Sequence, residues 1–255
     1  MTLNGLGVEF LETGSGPDLL FLHPQDGADP GGRYLELLKR KFRVTLPSHP
    51  GFGKTDLPRS FSTVDDLSYF YLDFMKSRRM RDVILVGVSF GAWLALEIAS
   101  KHPAEVSRLV LASPLGIKLS DREDSDFVDV FKEALMDWIP VWSNGAGGGC
   151  DLDGLTEELA LRIARNRETF TLMGWAPYLF NPKLPQRLKS LDLPTLVLGA
   201  AEDRLYRGPY AQALAATLKG AQFKSIPGAG HYLHADQPEA FAQAVLEFAG
   251  QPQPA

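Results

Sequence analysis

The chain has 255 residues, 45% of them hydrophobic and 22% charged, which excludes disordered, collagen-like and membrane-embedded classes. Its formal net charge of −5 gives no reason to expect a basic face for nucleic acid. The single cysteine, Cys150, allows no internal disulfide and fits a reducing compartment.

The opening Met-Thr-Leu-Asn-Gly has neither a basic start nor an apolar core of the kind a secretory leader needs, so a cytoplasmic location is expected. The apolar run over 83–96 is too short to cross a bilayer, and Gly87 and Gly91 interrupt it.

Residues 1–3 and 8–12 read as two strands around an Asn4-Gly5 turn. DLLFLH, 18–23, reads as a buried strand, 32–39 as a short helix and 42–46 as the next strand. Residues 62–78 carry a helical stripe of Val64, Leu67, Tyr71, Phe74 and Met75, with Ser62 and Asp65 placed as a capping box. The basic stretches Lys39-Arg40-Lys41 and Arg78-Arg79-Met80-Arg81 fall where helices should end, and cations there suit the helix dipole. VILVG (83–87), a helix over 90–101 and VSRLVLA (106–112) follow. Continuous apolar strands alternating with helices predict an α/β fold, a mostly parallel central sheet with helices on both faces.

The alternation stops at Gly116. From there to about Ser190 the pattern is helical, with a 3–4-spaced stripe of Phe127, Val130, Phe131, Ala134, Leu135 and Trp138, and a weaker one of Leu155, Leu159 and Ile163. The glycine run 145–149 between them reads as a connector or hinge. Asp121, Glu123, Asp124, Asp126 and Asp129 read as helix-start and solvated charges, not a metal site. The α/β rhythm resumes with a strand at 193–199, a helix at 209–218, a strand at 222–226 and a last helix with Asp236 as N-cap and Gly250 past its end. The expected organisation is a core of residues 1–115 and 191–255, with a helical lid, 116–190, inserted after the sixth strand.

Gly87-Val-Ser89-Phe-Gly91 is a G-x-S-x-G match lying between an apolar strand and a helix, the setting of a nucleophile elbow. A serine hydroxyl needs a base, and the base an orienting acid. Of five histidines, His23 follows a strand, His49 sits in a turn and His102 ends a helix. His231, in the glycine-rich loop 227–231, is the favoured base, with His234 its rival. Asp203, after the strand at 193–199, is the favoured acid, with Glu202 the alternative. Gly53-Lys54-Thr55 does not complete a phosphate loop, because Ser48 stands where that pattern needs glycine.

The order Ser89, Asp203, His231 resembles the α/β-hydrolase superfamily. His23-Pro24-Gln25-Asp26-Gly27 resembles its oxyanion-loop segment, 48–55 (SHPGFGKT) its Asp-x-Pro-Gly-x-Gly-x-Ser turn, and Gly230-His231 its catalytic-histidine loop. The resemblance spans about residues 8–249 and implies that the backbone N–H groups of Gln25 and Phe90 form an oxyanion hole. Pro24 replaces the usual glycine and Ser48 the usual aspartate. A serine nucleophile argues against the branches that attack through a carboxylate.

The expected activity is hydrolysis of a small or medium carboxylic ester through an acyl-enzyme on Ser89, with no cofactor and no metal. The partner implied is a small-molecule ester or related acyl compound, not nucleic acid or membrane. The alternatives are a meta-cleavage C–C hydrolase, against which Val88 and Tyr232 count where that branch has Asn and Trp, and a non-catalytic ligand sensor. Trp138, Trp142 and Trp175 fall in the insertion, where they either pack it onto the core or form an apolar pocket above Ser89.

Overall fold

The computed structural model describes residues 1–132, 141–144 and 156–252. The chain opens with β1 (Thr2–Leu3) and β2 (Leu6–Gly7), an antiparallel hairpin closed by the Val8 N–H on the Met1 carbonyl, 2.7 Å. Seven further strands make the central sheet: β3 (Phe10–Thr13), β4 (Asp18–Leu22), β5 (Arg43–Pro47), β6 (Val83–Val88), β7 (Val106–Ala112), β8 (Thr195–Ala200) and β9 (Gln222–Ile226). Their spatial order is β3-β5-β4-β6-β7-β8-β9. Only the β3–β5 pair is antiparallel.

Every residue of β4 and β6 is buried, because helices cover both faces. The pleat sorts their side chains. Leu20, Leu22, Leu85 and Leu111 point to one face, under α2 (Val64–Ser77), α3 (Phe90–Ala99) and α6 (Tyr210–Thr217). Leu19, Phe21, Val86 and Val110 point to the other, under α1 (Arg33–Leu38) and α8 (Pro238–Ala249). All ten residues of α3 are buried, so the helix following Ser89 is held on every side.

Between β7 and β8 lie α4 (Glu157–Gly174), the single turn α5 (Leu184–Arg187) and a 3₁₀ turn, Leu188–Ser190. The two ends of this stretch are joined at its base. Gly116 bridges Phe180, and the Asn181 N–H reaches the Gly116 carbonyl at 2.9 Å. Glu97 on α3, with its side chain fully buried, anchors the returning chain. It accepts from Asn181 Nδ2 at 2.7 Å and Arg187 Nη1 at 3.4 Å, while Arg187 and Lys101 both reach Asp65, at 2.9 and 2.7 Å. Burial pushes the Glu97 carboxyl up. Arg187→Met is expected to cost about 2 kcal/mol, because it leaves a buried carboxyl short of a charged donor. Denaturant unfolding checks this; a midpoint equal to wild type would contradict it.

Several expected elements shift. The strand expected at 8–12 is β3, starting at Phe10, and an extra short strand, β2, precedes it, so the long connection follows the seventh strand. The α2 capping box is Thr63 with Asp66, one residue beyond Ser62 and Asp65. Asp236 ends the short turn α7 (Leu233–Asp236), and Gln237 precedes α8 instead. The Asp236 carboxylate accepts from the N–H groups of Gly230 and Asn144 at 2.8 and 2.9 Å, so it fixes the loop before His231.

The stripe at 127–131 is not helical. Phe127 bridges Tyr206, and the Tyr178 hydroxyl accepts from the Val130 N–H at 2.9 Å and donates to the Val128 carbonyl at 2.5 Å. Asp126 is 9% exposed and accepts from the Leu119 N–H at 2.8 Å, so it is a loop brace, not a helix-start charge. Ala134, Leu135, Trp138, Cys150 and Leu155 lie outside the described residues. No helix among the described residues is long and apolar enough to cross a membrane.

Candidate active site

Ser89 stands between β6 and α3 with φ 53° and ψ −113°, a left-handed-side conformation costly for a residue with a Cβ. The surrounding backbone enforces it. A Cβ on Gly87 would lie 2.3 Å from the Gly91 carbonyl oxygen, and one on Gly91 would lie 2.1 Å from that of Leu22. Both glycines of the motif are thus required by close backbone approach. The Ser89 N–H is taken by the Ala112 carbonyl at the end of β7, 2.9 Å.

His231 arrives from the loop after β9 and Asp203 from the loop after β8. Ser89 Oγ lies 2.7 Å from His231 Nε2, and His231 Nδ1 lies 2.8 Å from Asp203 Oδ2. Asp203 Oδ1 accepts from the Leu205 N–H at 3.0 Å, which fixes the carboxylate plane. The His231 and Asp203 side chains are 0% and 3% exposed. With the carboxylate accepting at Nδ1, the neutral ring carries its proton there, and Nε2 is left to accept from the serine hydroxyl.

Phe90 is the first residue of α3, where a backbone N–H has no intrahelical partner. Neither its N–H nor that of Gln25 donates to an acceptor among the described residues. Gln25 is 3% exposed, and its Nε2 donates to the Tyr232 hydroxyl at 2.5 Å. Tyr232 stands out in the sequence only as the neighbour of His231; nothing in its spacing signals a hydrogen bond spanning 207 positions.

The other candidates separate cleanly. His234 is buried against Tyr34 and Phe241, with its ring centroid 5.0 Å from that of Tyr34, and burial pushes it down to about 3. Glu202 is exposed and bonds to the Asn144 amide, not to His231. Trp142 packs edge-on against the His231 ring at 5.2 Å. Trp175 does not face this site: its ring rests on Phe131 at 5.4 Å and is 61% exposed, because it follows the last turn of α4 on the solvent side. Trp138 lies outside the described residues. Lys54 gives its N–H to the Glu9 carboxylate at 3.0 Å, so a carboxylate holds the turn where a phosphate loop would need an anion. The same Glu9 oxygen accepts from Ser48 Oγ at 2.9 Å, which shows how this turn closes without the aspartate expected at 48.

Beneath residues 24–27, His23 and His49 stack with ring centroids 3.6 Å apart. The His49 N–H donates to His23 Nε2 at 3.0 Å, so His23 carries its proton on Nδ1 and gives it to the Pro24 carbonyl at 2.6 Å. His49 Nε2 gives its proton to the His23 carbonyl at 3.0 Å and Nδ1 accepts from Tyr71 at 2.5 Å. Every partner thus requires neutral rings. Burial lowers His23 to about 4 and His49 well below its ordinary value.

These depressed values give a stability prediction with a definite sign. The unfolded chain protonates these histidines near pH 6.5, whereas the folded chain resists until about pH 4 for His23 and about 3 for His234. Stability is therefore fully present above about pH 6.5 and falls as pH drops toward 4, by up to about 2 kcal/mol per histidine at pH 5. Denaturant unfolding at pH 7.5 and 5.0 measures it, and His234→Phe should flatten the slope. Equal stabilities at the two pH values would refute the neutral-histidine account.

A serine on a strained strand–helix turn, over a parallel sheet and bonded to a histidine from a late loop, defines a class. The chain belongs to the alpha/beta hydrolase family, whose model matches residues 19–244. It is 27% identical over 263 residues to the 2-hydroxy-6-oxo-6-(2'-aminophenyl)hexa-2,4-dienoic acid hydrolase of Metapseudomonas resinovorans, covering 96% of this chain and 89% of that one. Among solved structures it resembles a meta-cleavage product hydrolase from Pseudomonas fluorescens IP01, with TM-score 0.77, 21% identity and coverage of 97% and 95%. It also resembles a thermophilic esterase from Thermogutta terrifontis, with TM-score 0.71, 23% identity and coverage of 96% and 93%.

Proposed function

We propose that the protein is a cofactor-independent serine hydrolase that cleaves a small or medium carboxylic ester. The observation that carries this reading is the unbroken line Ser89 Oγ, His231 Nε2, His231 Nδ1, Asp203 Oδ2, with contacts of 2.7 and 2.8 Å. His231 takes the serine proton as Oγ attacks the acyl carbon. Asp203 holds the ring and stabilises the imidazolium. The Phe90 and Gln25 N–H groups meet the oxyanion as it forms. His231 then gives its proton to the leaving alcohol. Water, deprotonated by the same ring, releases the acid and restores the serine.

In this reading residues 116–190 form a lid over the core of 1–115 and 191–255, joined at the Gly116–Phe180 bridge. Trp142, 2% exposed and against His231, is its described aromatic contribution to the site.

A second reading, hydrolysis of a carbon–carbon bond in a vinylogous diketone acid, is favoured by the relative from Metapseudomonas resinovorans. It uses the same residues on a different bond. A panel of nitrophenyl esters from acetate to octanoate, run beside one ring-fission diketone acid, separates the two. The ester reading predicts turnover of the short esters and at least a hundredfold lower kcat/KM on the diketone; the reverse order would replace it with the second.

A further inference from the structure

We infer that Asn166, on α4, is a positioning residue that sets the direction of the Gln25 N–H through a relay of two peptide planes. The inference deepens the serine-hydrolase reading above and rests on it.

Asn166 is 3% exposed, and both ends of its amide are used. Nδ2 donates to the Asp26 carbonyl at 2.6 Å, and Oδ1 accepts from the Gly53 N–H at 3.0 Å. A carbonyl can only accept and a peptide N–H only donate, so the partners dictate which way the amide faces. The approach is tight: Gly27 has φ +102°, and a Cβ there would lie 2.5 Å from Asn166 Nδ2.

The Asp26 carbonyl shares a rigid plane with the Gly27 N–H. That N–H donates to the Pro24 carbonyl at 3.1 Å. The Pro24 carbonyl shares its own plane with the Gln25 N–H, the proposed oxyanion donor. Holding Asp26 therefore holds Gly27, which holds the plane carrying Gln25. His23 Nδ1 grips the same Pro24 oxygen from below at 2.6 Å, so the donor plane is fixed from the core and from α4 at once. Fixing a donor before charge develops is what makes it effective in the transition state. The seat of α4 over the core thereby becomes part of the site's competence.

The test compares wild type with Asn166→Asp, Asn166→Ala and Thr169→Val on nitrophenyl butyrate. Affinity for a trifluoromethyl ketone, which forms a charged tetrahedral adduct on a serine, is measured in parallel. Asn166→Asp keeps an acceptor for Gly53 but loses the donor to Asp26, so it decides the matter if Asn166→Ala is poorly folded. Both Asn166 variants should lose about tenfold or more in kcat, with KM within about threefold and ketone affinity falling in step with kcat/KM. Thr169→Val breaks the neighbouring 2.8 Å bond from α4 to the Gly51 carbonyl without touching the oxyanion loop, and should stay within about twofold in kcat. Unchanged kcat and ketone affinity in Asn166→Asp, or an equal loss in Thr169→Val, overturns the inference while the serine-hydrolase reading stands. A wild-type protein that neither turns over the ester nor binds the ketone overturns both.

Discussion

Ser89→Ala is expected to lower kcat on a nitrophenyl ester by about 10⁶-fold while leaving the fold and thermal midpoint close to wild type. The size of the effect follows from what the hydroxyl does. In the proposed mechanism it forms the covalent bond, and it sits 2.7 Å from the His231 ring nitrogen that would take its proton. Stability should hold because the strained φ of 53° is imposed by backbone neighbours at Gly87 and Gly91, not by the serine oxygen. Alanine keeps the same Cβ and the same strain. Rate and unfolding measured on one preparation check both halves. A variant that keeps more than about a hundredth of wild-type kcat would show that the nucleophile lies elsewhere.

Asp203→Asn is expected to cost about 10⁴-fold in kcat with little change in KM. The Leu205 N–H donates to Oδ1 at 3.0 Å, and that contact demands an acceptor. An asparagine would therefore keep its oxygen on Leu205 and turn its amide nitrogen toward His231. A donor facing Nδ1 drives the ring proton to Nε2, where it can no longer accept from Ser89. The replacement leaves packing intact and spoils only the tautomer. Steady-state kinetics from pH 6 to 9 test this. A loss under about tenfold would mean that the carboxylate is not the group orienting the ring.

The parts of this arrangement differ in how visible they are in the sequence. The elbow is legible because two local signals coincide: an apolar strand ending at Val88 and glycines two positions either side of Ser89. Asp203 and His231 are legible as residues just past late strands, on the one rim where parallel strands all end. His234 stands as the rival of His231 on paper, and packing against Tyr34 and Phe241 shows it to be core.

The relay through Asn166 leaves no local signature, since Asn166 and Gly27 belong to segments 139 positions apart and meet only through α4. The stripe at 127–131 misleads for a different reason. Its spacing is helical, but three tyrosines, Tyr178, Tyr206 and Tyr210, bury its side chains and Tyr178 satisfies its backbone, so no helix is needed there. The α2 cap is one residue off because Ser62-x-x-Asp65 and Thr63-x-x-Asp66 overlap, and spacing alone cannot choose between them.

The central claim is that Ser89 is an activated nucleophile. Incubation of the folded protein with a fluorophosphonate, followed by intact-mass and peptide mass spectrometry, tests it most directly. The account predicts one phosphonyl adduct per chain, located on Ser89, forming at a rate that collapses in His231→Ala. A well-folded protein that stays unmodified, or one labelled at another residue, would contradict it.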